Sequence, residues 1–200
     1  AVFDELPRTG LPERFDSWEE YQRHLRILAE AGVLPDPSKL WWDARAHARY
    51  PTIEMRISDI CTRLDDGIAV TSLYACLLSM LTRLRRHNQR WRTYSNMLIN
   101  ENRWMAQRHG FDAGMIDFGR GGIVPYAELL EEMIELTAQD AKELDCEAEV
   151  ASLRDILDRG TSAHRQIAVF EAAKADGADA REAANAVVDW LIAETAHGLE

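Results

Sequence analysis

The chain has 200 residues, 46% of them hydrophobic, which is enough to bury a core, and a single domain over residues 1–200 is expected. The formal charge of −11 is uneven: residues 1–100 carry 14 Lys and Arg against 13 Asp and Glu, and residues 101–200 carry 9 against 21. The acidic half repels nucleic-acid phosphates and anionic lipid, so neither nucleic acid nor a membrane surface is expected as its partner. Thirteen of the 14 basic residues in the first half are Arg, whose planar fork grips carboxylate or phosphate oxygens in pairs. Arg-rich composition in general explains them equally well. Cys61, Cys76 and Cys146 are an odd set without CxxC or metal-ligand spacing, and no signal-peptide pattern is visible, which fits buried, reduced thiols in the cytoplasm.

Taken in chain order, Asp4 to Phe15 holds Pro7, Gly10 and Pro12 without a period and reads as an extended loop. Ser17 and Glu20 form a capping box, after which Phe15, Trp18, Tyr21, Leu25 and Leu28 recur at helical spacing until Gly32. Pro35 to Ser38 is a turn. From Trp41 to Arg49 the residues alternate, with Trp41, Asp43, Arg45, His47 and Arg49 on one face of a strand. Beyond Pro51 a second strand puts Thr52, Glu54, Arg56 and Ser58 opposite Ile53, Met55 and Ile57. Charges in a strand centre need solvent or partners, so the two polar faces should look into a common cavity.

Asp65 and Asp66 open a long apolar helix that ends in Arg83, Arg85, Arg86 and His87, where the helix dipole favours cations. Its apolar run, Gly67 to Thr82, has 16 residues and contains Thr71, Ser72, Tyr74, Cys76 and Ser79. That is short and polar for a membrane span and predicts a core helix. Ser95 caps a helix that Gly110 stops, and Met115 to Phe118 and Gly122 to Val124 form a hairpin. Four helices follow, marked by Leu129 to Ile134, by Val150 to Leu157, by Ile167 to Ala173 behind a Thr161 cap, and by Ala184 to Ile192. The terminal Leu199-Glu200 pair carries no structural meaning.

Glu54 and Arg56 lie on one strand face, about 7 Å apart. A carboxylate for a hard divalent cation and a guanidinium for phosphate or carboxylate could address one anionic, metal-bound ligand from there. An ordinary cross-strand salt bridge from Glu54 to Arg45 or Arg49 accounts for the same spacing.

The run from Leu40 through Trp41-Trp42-Asp43-Ala44-Arg45 and Pro51-Thr52-Ile53-Glu54-Met55-Arg56 to Asp59 resembles the carboxylate-amine ligase branch of the type-2 glutamate-cysteine ligases. Leu98-Ile99-Asn100-Glu101-Asn102-Arg103-Trp104 with Arg108 and Gly110, the hairpin Gly114 to Val124, and Gly160-Thr161-Ser162-Ala163-His164-Arg165-Gln166 resemble later blocks of that family, in order. The resemblance covers nearly the whole chain. It implies an α+β fold akin to glutamine synthetase, with antiparallel strands forming part of an active-site funnel and a mostly helical C-terminal region. ATP and Mg²⁺ or Mn²⁺ would sit in the funnel, and a substrate carboxylate would form an acyl phosphate that an amine displaces. By position Glu54 would be a metal ligand, Arg56 would bind phosphate or the substrate carboxylate, and Arg45 would be a second anion clamp. Arg49, Arg103, Arg108 and Arg165 would serve nucleotide binding at the rim.

The sequence departs from the family at His164, where an Asp is expected. It also lacks the Gly-x-Glu-x-Glu strand that supplies further metal carboxylates, and Glu54 alone cannot hold a hard cation tightly. The chain therefore corresponds to the family's C-terminal half, and the resemblance implies an N-terminal half on another chain or segment. The substrates would be a small carboxylate and an amine. The competing reading is a noncatalytic binding or regulatory subunit that keeps the ligase architecture. An open sheet edge and an uncovered apolar face predict an oligomer in either case. Gly119-Arg120-Gly121-Gly122 lacks the Lys-Ser/Thr of a P-loop, and the six His residues show no zinc spacing.

Overall fold

The computed structural model describes residues 5–199; Asp4 of the N-terminal loop and Glu200 of the terminal pair lie outside the described residues. The chain divides into two compact units, one up to Asp59 and one from Ile60 onward, and the architecture is α+β.

In the first unit, helix α1 (Trp18–Glu30) starts where Ser17 Oγ accepts the Glu20 N–H at 3.1 Å. The expected capping box is shifted by one residue, because the Glu20 carboxylate accepts from Asp16 N–H at 2.9 Å. A 3-10 turn (Pro37–Lys39) precedes β2 (Trp41–Trp42), which pairs in parallel with β1 (Thr9–Gly10) in the stretch read as loop. β3 (Ala44–Ala46) and β4 (Ile53–Met55) pair antiparallel, with Arg45 opposite Glu54. The sequence predicts one strand from Trp41 to Arg49; the structure breaks it at Asp43. The Asp43 carbonyl accepts from both Arg56 N–H at 2.7 Å and Ile57 N–H at 3.0 Å, so one residue answers two, as in a bulge. Periodicity cannot register such a break, since the alternation of Trp42 and Ala46 inward with Arg45 and His47 opposite survives it. Tyr21, Leu34 and Leu40 form the core of this unit, with Phe15, Leu25, Leu28, Trp42 and Ala46 packed on it.

The second unit is built on α2 (Leu64–Arg86), which packs against α4 (Tyr126–Glu143), α5 (Glu147–Ala151) and α6 (Leu153–Arg159). Ala69, Cys76, Leu130, Ala141, Val150 and Leu153 make its core. At 23 residues α2 is longer than its apolar run, and by length and composition alone it could cross a membrane. The extra length comes from the acidic first turn and the basic last turn; Ala69, Cys76 and Met80 are its buried residues, while Leu64, Ile68 and Leu81 are exposed, so the helix is less buried than a core helix is expected to be. The segment read as one helix around Val150 and Leu153 is two, divided at Ser152, whose hydroxyl bonds back to the Glu149 carbonyl at 2.8 Å. α3 (Asn96–His109) leads into the hairpin β5 (Met115–Asp117) and β6 (Gly122–Val124). α7 (Ser162–Ala175) and α8 (Ala180–Thr195) pack on each other as a helical hairpin across Gly177 at φ +95°.

Candidate active site

The β3–β4 register places the Glu54 carboxylate among three cationic or donor side chains of the first unit. Arg45 Nε lies 2.8 Å from Glu54 Oε2, Arg56 Nη1 lies 3.5 Å from the same oxygen, and His47 Nε2 lies 3.4 Å from Oε1. The Arg45 hydrogen bond, chiefly, holds the Glu54 carboxyl below the usual range, against a smaller opposing effect of burial and with help from the charges of Arg45, His47 and Arg56. Glu54 is therefore ionised at neutral pH.

The three partners are not equivalent. Arg45 is nearly buried and its Nη1 also donates to the Ser38 and Leu40 carbonyls, at 2.5 and 2.6 Å, so it ties the 3-10 turn to the hairpin. His47 Nδ1 accepts from the Arg49 and Tyr50 N–H groups at 3.0 and 3.1 Å, which leaves the ring proton on Nε2, facing Glu54. Arg56 has the longest contact and is 38% exposed, so its guanidinium is the group of the cluster best able to take an incoming anion.

Of the two cross-strand partners that the spacing allows Glu54, the register selects Arg45; Arg49 sits exposed in the loop beyond β3. Arg103, Arg108 and Arg165 belong to the second unit. Arg103 is half-buried on α3, and Arg165 lies 5.4 Å over the Trp190 ring, a cation–π contact within the α7–α8 pair. Arg108 lines a groove with Gly110, Asp112, Thr161 and His164. There His164, the departure from the family pattern, completes the α7 cap: its Nδ1 lies 2.6 Å from Thr161 Oγ1 and its Nε2 lies 3.2 Å from Asp112 Oδ2. Its ring stacks on Phe111, and a Cβ on Gly110 or Gly160 would press against it. The side chain has been built into its surroundings.

Among the described residues no group of three or more His, Cys, Asp or Glu could hold a metal ion. Glu54 is a single carboxylate with both oxygens engaged by cations and donors, so this chain's described donor set does not by itself fit Mg²⁺ or Mn²⁺.

Sequence reading missed two features. Asn102 donates its side-chain amide to the Ile116 carbonyl at 2.9 Å and accepts the Ile116 N–H at 2.8 Å, pinning α3 to β5. A cavity of about 890 Å³ opens beside it, lined by Trp91, Arg92, Tyr94, Phe118 and Tyr126 among others. In the sequence, Asn102 stands inside the family block over residues 98–104, and Arg92 lies close to Trp91 and Tyr94.

A family model described as Glutamate-cysteine ligase family 2 matches residues 1–189. The chain belongs to that family. A Rhodospirillum rubrum protein named "Putative glutamate--cysteine ligase 2" is 58% identical over 195 residues, which is 98% of this chain and 50% of the relative. Proteins of the same name from Paracoccus denitrificans and Jannaschia sp. are 48% and 49% identical, over 97% and 96% of this chain and 52% and 50% of theirs. The chain spans about half the length of the curated relatives it matches.

Proposed function

We propose that this chain is part of an ATP-dependent carboxylate-amine ligase, corresponding to the C-terminal half of a glutamine synthetase-like catalytic domain. The reaction would pass through an acyl phosphate. The observation that carries the reading is the membership of glutamate-cysteine ligase family 2 over residues 1–189, joined to the cluster of two guanidinium groups on one carboxylate at Arg45, Arg56 and Glu54. Two guanidinium charges against one carboxylate leave that cluster with a positive surplus, which suits a phosphate or a substrate carboxylate. In this reading Arg56 receives the anion, Arg45 and His47 hold Glu54 in place, and Glu54 fixes the Arg56 guanidinium. Arg49, Arg103, Arg108 and Arg165 remain candidates for nucleotide contact. Mg²⁺ or Mn²⁺, if used, needs further carboxylates from the complementary N-terminal segment. A cytoplasmic location and assembly with that segment or in an oligomer belong to the same proposal.

The test is ADP formation by the chain supplied with its complementary segment, in the presence of divalent metal, a carboxylic acid and an amine. Turnover that needs both substrates and is lost in Glu54→Ala and Arg56→Ala supports the reading; full turnover in Glu54→Ala removes Glu54 from the site. The engagement of both Glu54 oxygens by Arg45, His47 and Arg56 favours a second reading, a noncatalytic binding or regulatory subunit. That reading predicts no ADP formation with any complementary segment.

A further inference from the structure

Cys76, in the middle of α2, and Cys146, at the N-cap of α5, bring their sulfurs to 3.5 Å although 70 positions separate them. Both thiols are free, and the third, Cys61, is not in this pair. Cys76 is fully buried in the core of the second unit, whereas Cys146 packs at the edge of that core and is partly exposed. Closing 3.5 Å to a bond of about 2 Å asks for a shift of roughly 1.5 Å, within reach of side-chain rotation.

We propose that Cys76 and Cys146 form a reversible oxidative modification site, in which a hydroperoxide converts the dithiol into a disulfide that staples α2 to the start of α5. The asymmetry in burial sets the order of events. The partly exposed Cys146 thiolate attacks the peroxide oxygen, the O–O bond breaks, hydroxide or alkoxide leaves, and Cys146 becomes a sulfenic acid. The Cys76 sulfur then attacks the Cys146 sulfur, the S–O bond breaks, and the Cys76 proton leaves with the hydroxyl as water. Burial, mainly, pushes the Cys76 thiol up to about 12, so Cys146 rather than Cys76 is the sulfur that meets the oxidant first. The pair therefore responds to an oxidant slowly and in one order, and a dithiol reductant reverses it. The product clamps the helix that organises the second unit, independently of the β3–β4 cluster and of the ligase reading.

The experiment treats the full chain with hydrogen peroxide, blocks remaining thiols with iodoacetamide and maps the peptides by mass spectrometry without reduction. The expected result is a Cys76–Cys146 linked peptide with Cys61 alkylated, reversal by dithiothreitol, and a rise in Tm of about 5–10 °C in the oxidised form. In Cys76→Ser the linked peptide should be absent and dimedone should label Cys146. Should that variant fail to fold, phenylarsine oxide on the unaltered chain gives a second readout, expected to bridge the two thiols as one arsenic adduct per chain. The proposal is overturned if Cys146 runs on to sulfinic or sulfonic acid with no link to Cys76, if disulfides form through Cys61, or if both thiols stay alkylatable and bind no arsenical.

Discussion

Removing the guanidinium of Arg83 should destabilise the second unit far more than removing a geometrically better pair at its surface. Asp140 is fully buried on α4, and Arg83 on α2 holds it with contacts of 2.7 and 3.5 Å. Burial alone would raise the Asp140 carboxyl, but the hydrogen bonds from Arg83 and Ser79 and the Arg83 charge outweigh it and bring it below the usual range. Arg83→Met keeps most of the side-chain volume and leaves an ionised carboxylate in the core with Ser79 and a backbone amide, but no cation, to answer it. Breaking one side of a buried pair costs about 3–5 kcal/mol, and the remaining Ser79 bond places this case near the lower end, about 3 kcal/mol. For a chain of this size that is a fall of about 6–12 °C in Tm. The comparison is Arg154→Ala. Arg154 and Glu131 meet at 2.6 Å through two bonds, but both are roughly half exposed, so solvent screens the pair and its loss should be small. Urea unfolding of both variants and of the double variant Arg83→Met/Asp140→Leu measures the difference. The double variant should recover much of the loss, since a buried pair replaced by apolar groups is often neutral. If Arg83→Met costs no more than Arg154→Ala, or if the double variant is the least stable of the set, burial does not govern this pair.

The same pair sets a pH dependence. The folded pKa of Asp140 is depressed, so its contribution is present above the unfolded carboxyl value of about 3.9 and is lost as pH falls through the folded value. Stability against pH should therefore fall below about pH 4 in the unaltered chain and fall less steeply in Asp140→Asn, read by urea midpoints at each pH. Asn102→Ala should cost about 1–3 kcal/mol by leaving the Ile116 amide and carbonyl unanswered, measured as a drop in Tm. Gly114→Ala should be worse than an ordinary loop substitution, because Gly114 has φ +70° and a Cβ would collide with the Val124 carbonyl oxygen. An increase in Tm for that variant would contradict the geometry. In ligase assays with the complementary segment, Arg56→Lys should retain less than about a tenth of the activity, since a single ammonium replaces a fork. Arg45→Ala should lower Tm as well as turnover, because its bonds to Ser38 and Leu40 are lost.

Helical period, the caps at Ser17, Ser95 and Thr161, and the stops at Gly32 and Gly110 were legible because each is decided within a few residues. The same holds for the hairpin around Gly121. The face shared by Arg45 and Glu54 was legible for the same reason, since period two fixes which side chains look the same way. The family blocks could be read because their residues and spacing are written directly in the chain. What one-dimensional pattern could not supply was distance between segments. The bulge at Asp43 depends on two amides arriving from beyond β4, and the choice of Arg45 over Arg49 depends on register. The tautomer of His47 depends on where the loop returns its N–H groups. Asp140 finds Arg83 across 57 positions, and Cys146 finds Cys76 across 70, only when α4 and the start of α5 fold back onto α2. Local pattern settled most helices and the side-chain faces of the hairpin strands, but not the short β1, the break at Asp43 or the division at Ser152; tertiary packing decided those and which charges are buried together, because desolvation and pairing exist only once distant segments exclude water between them.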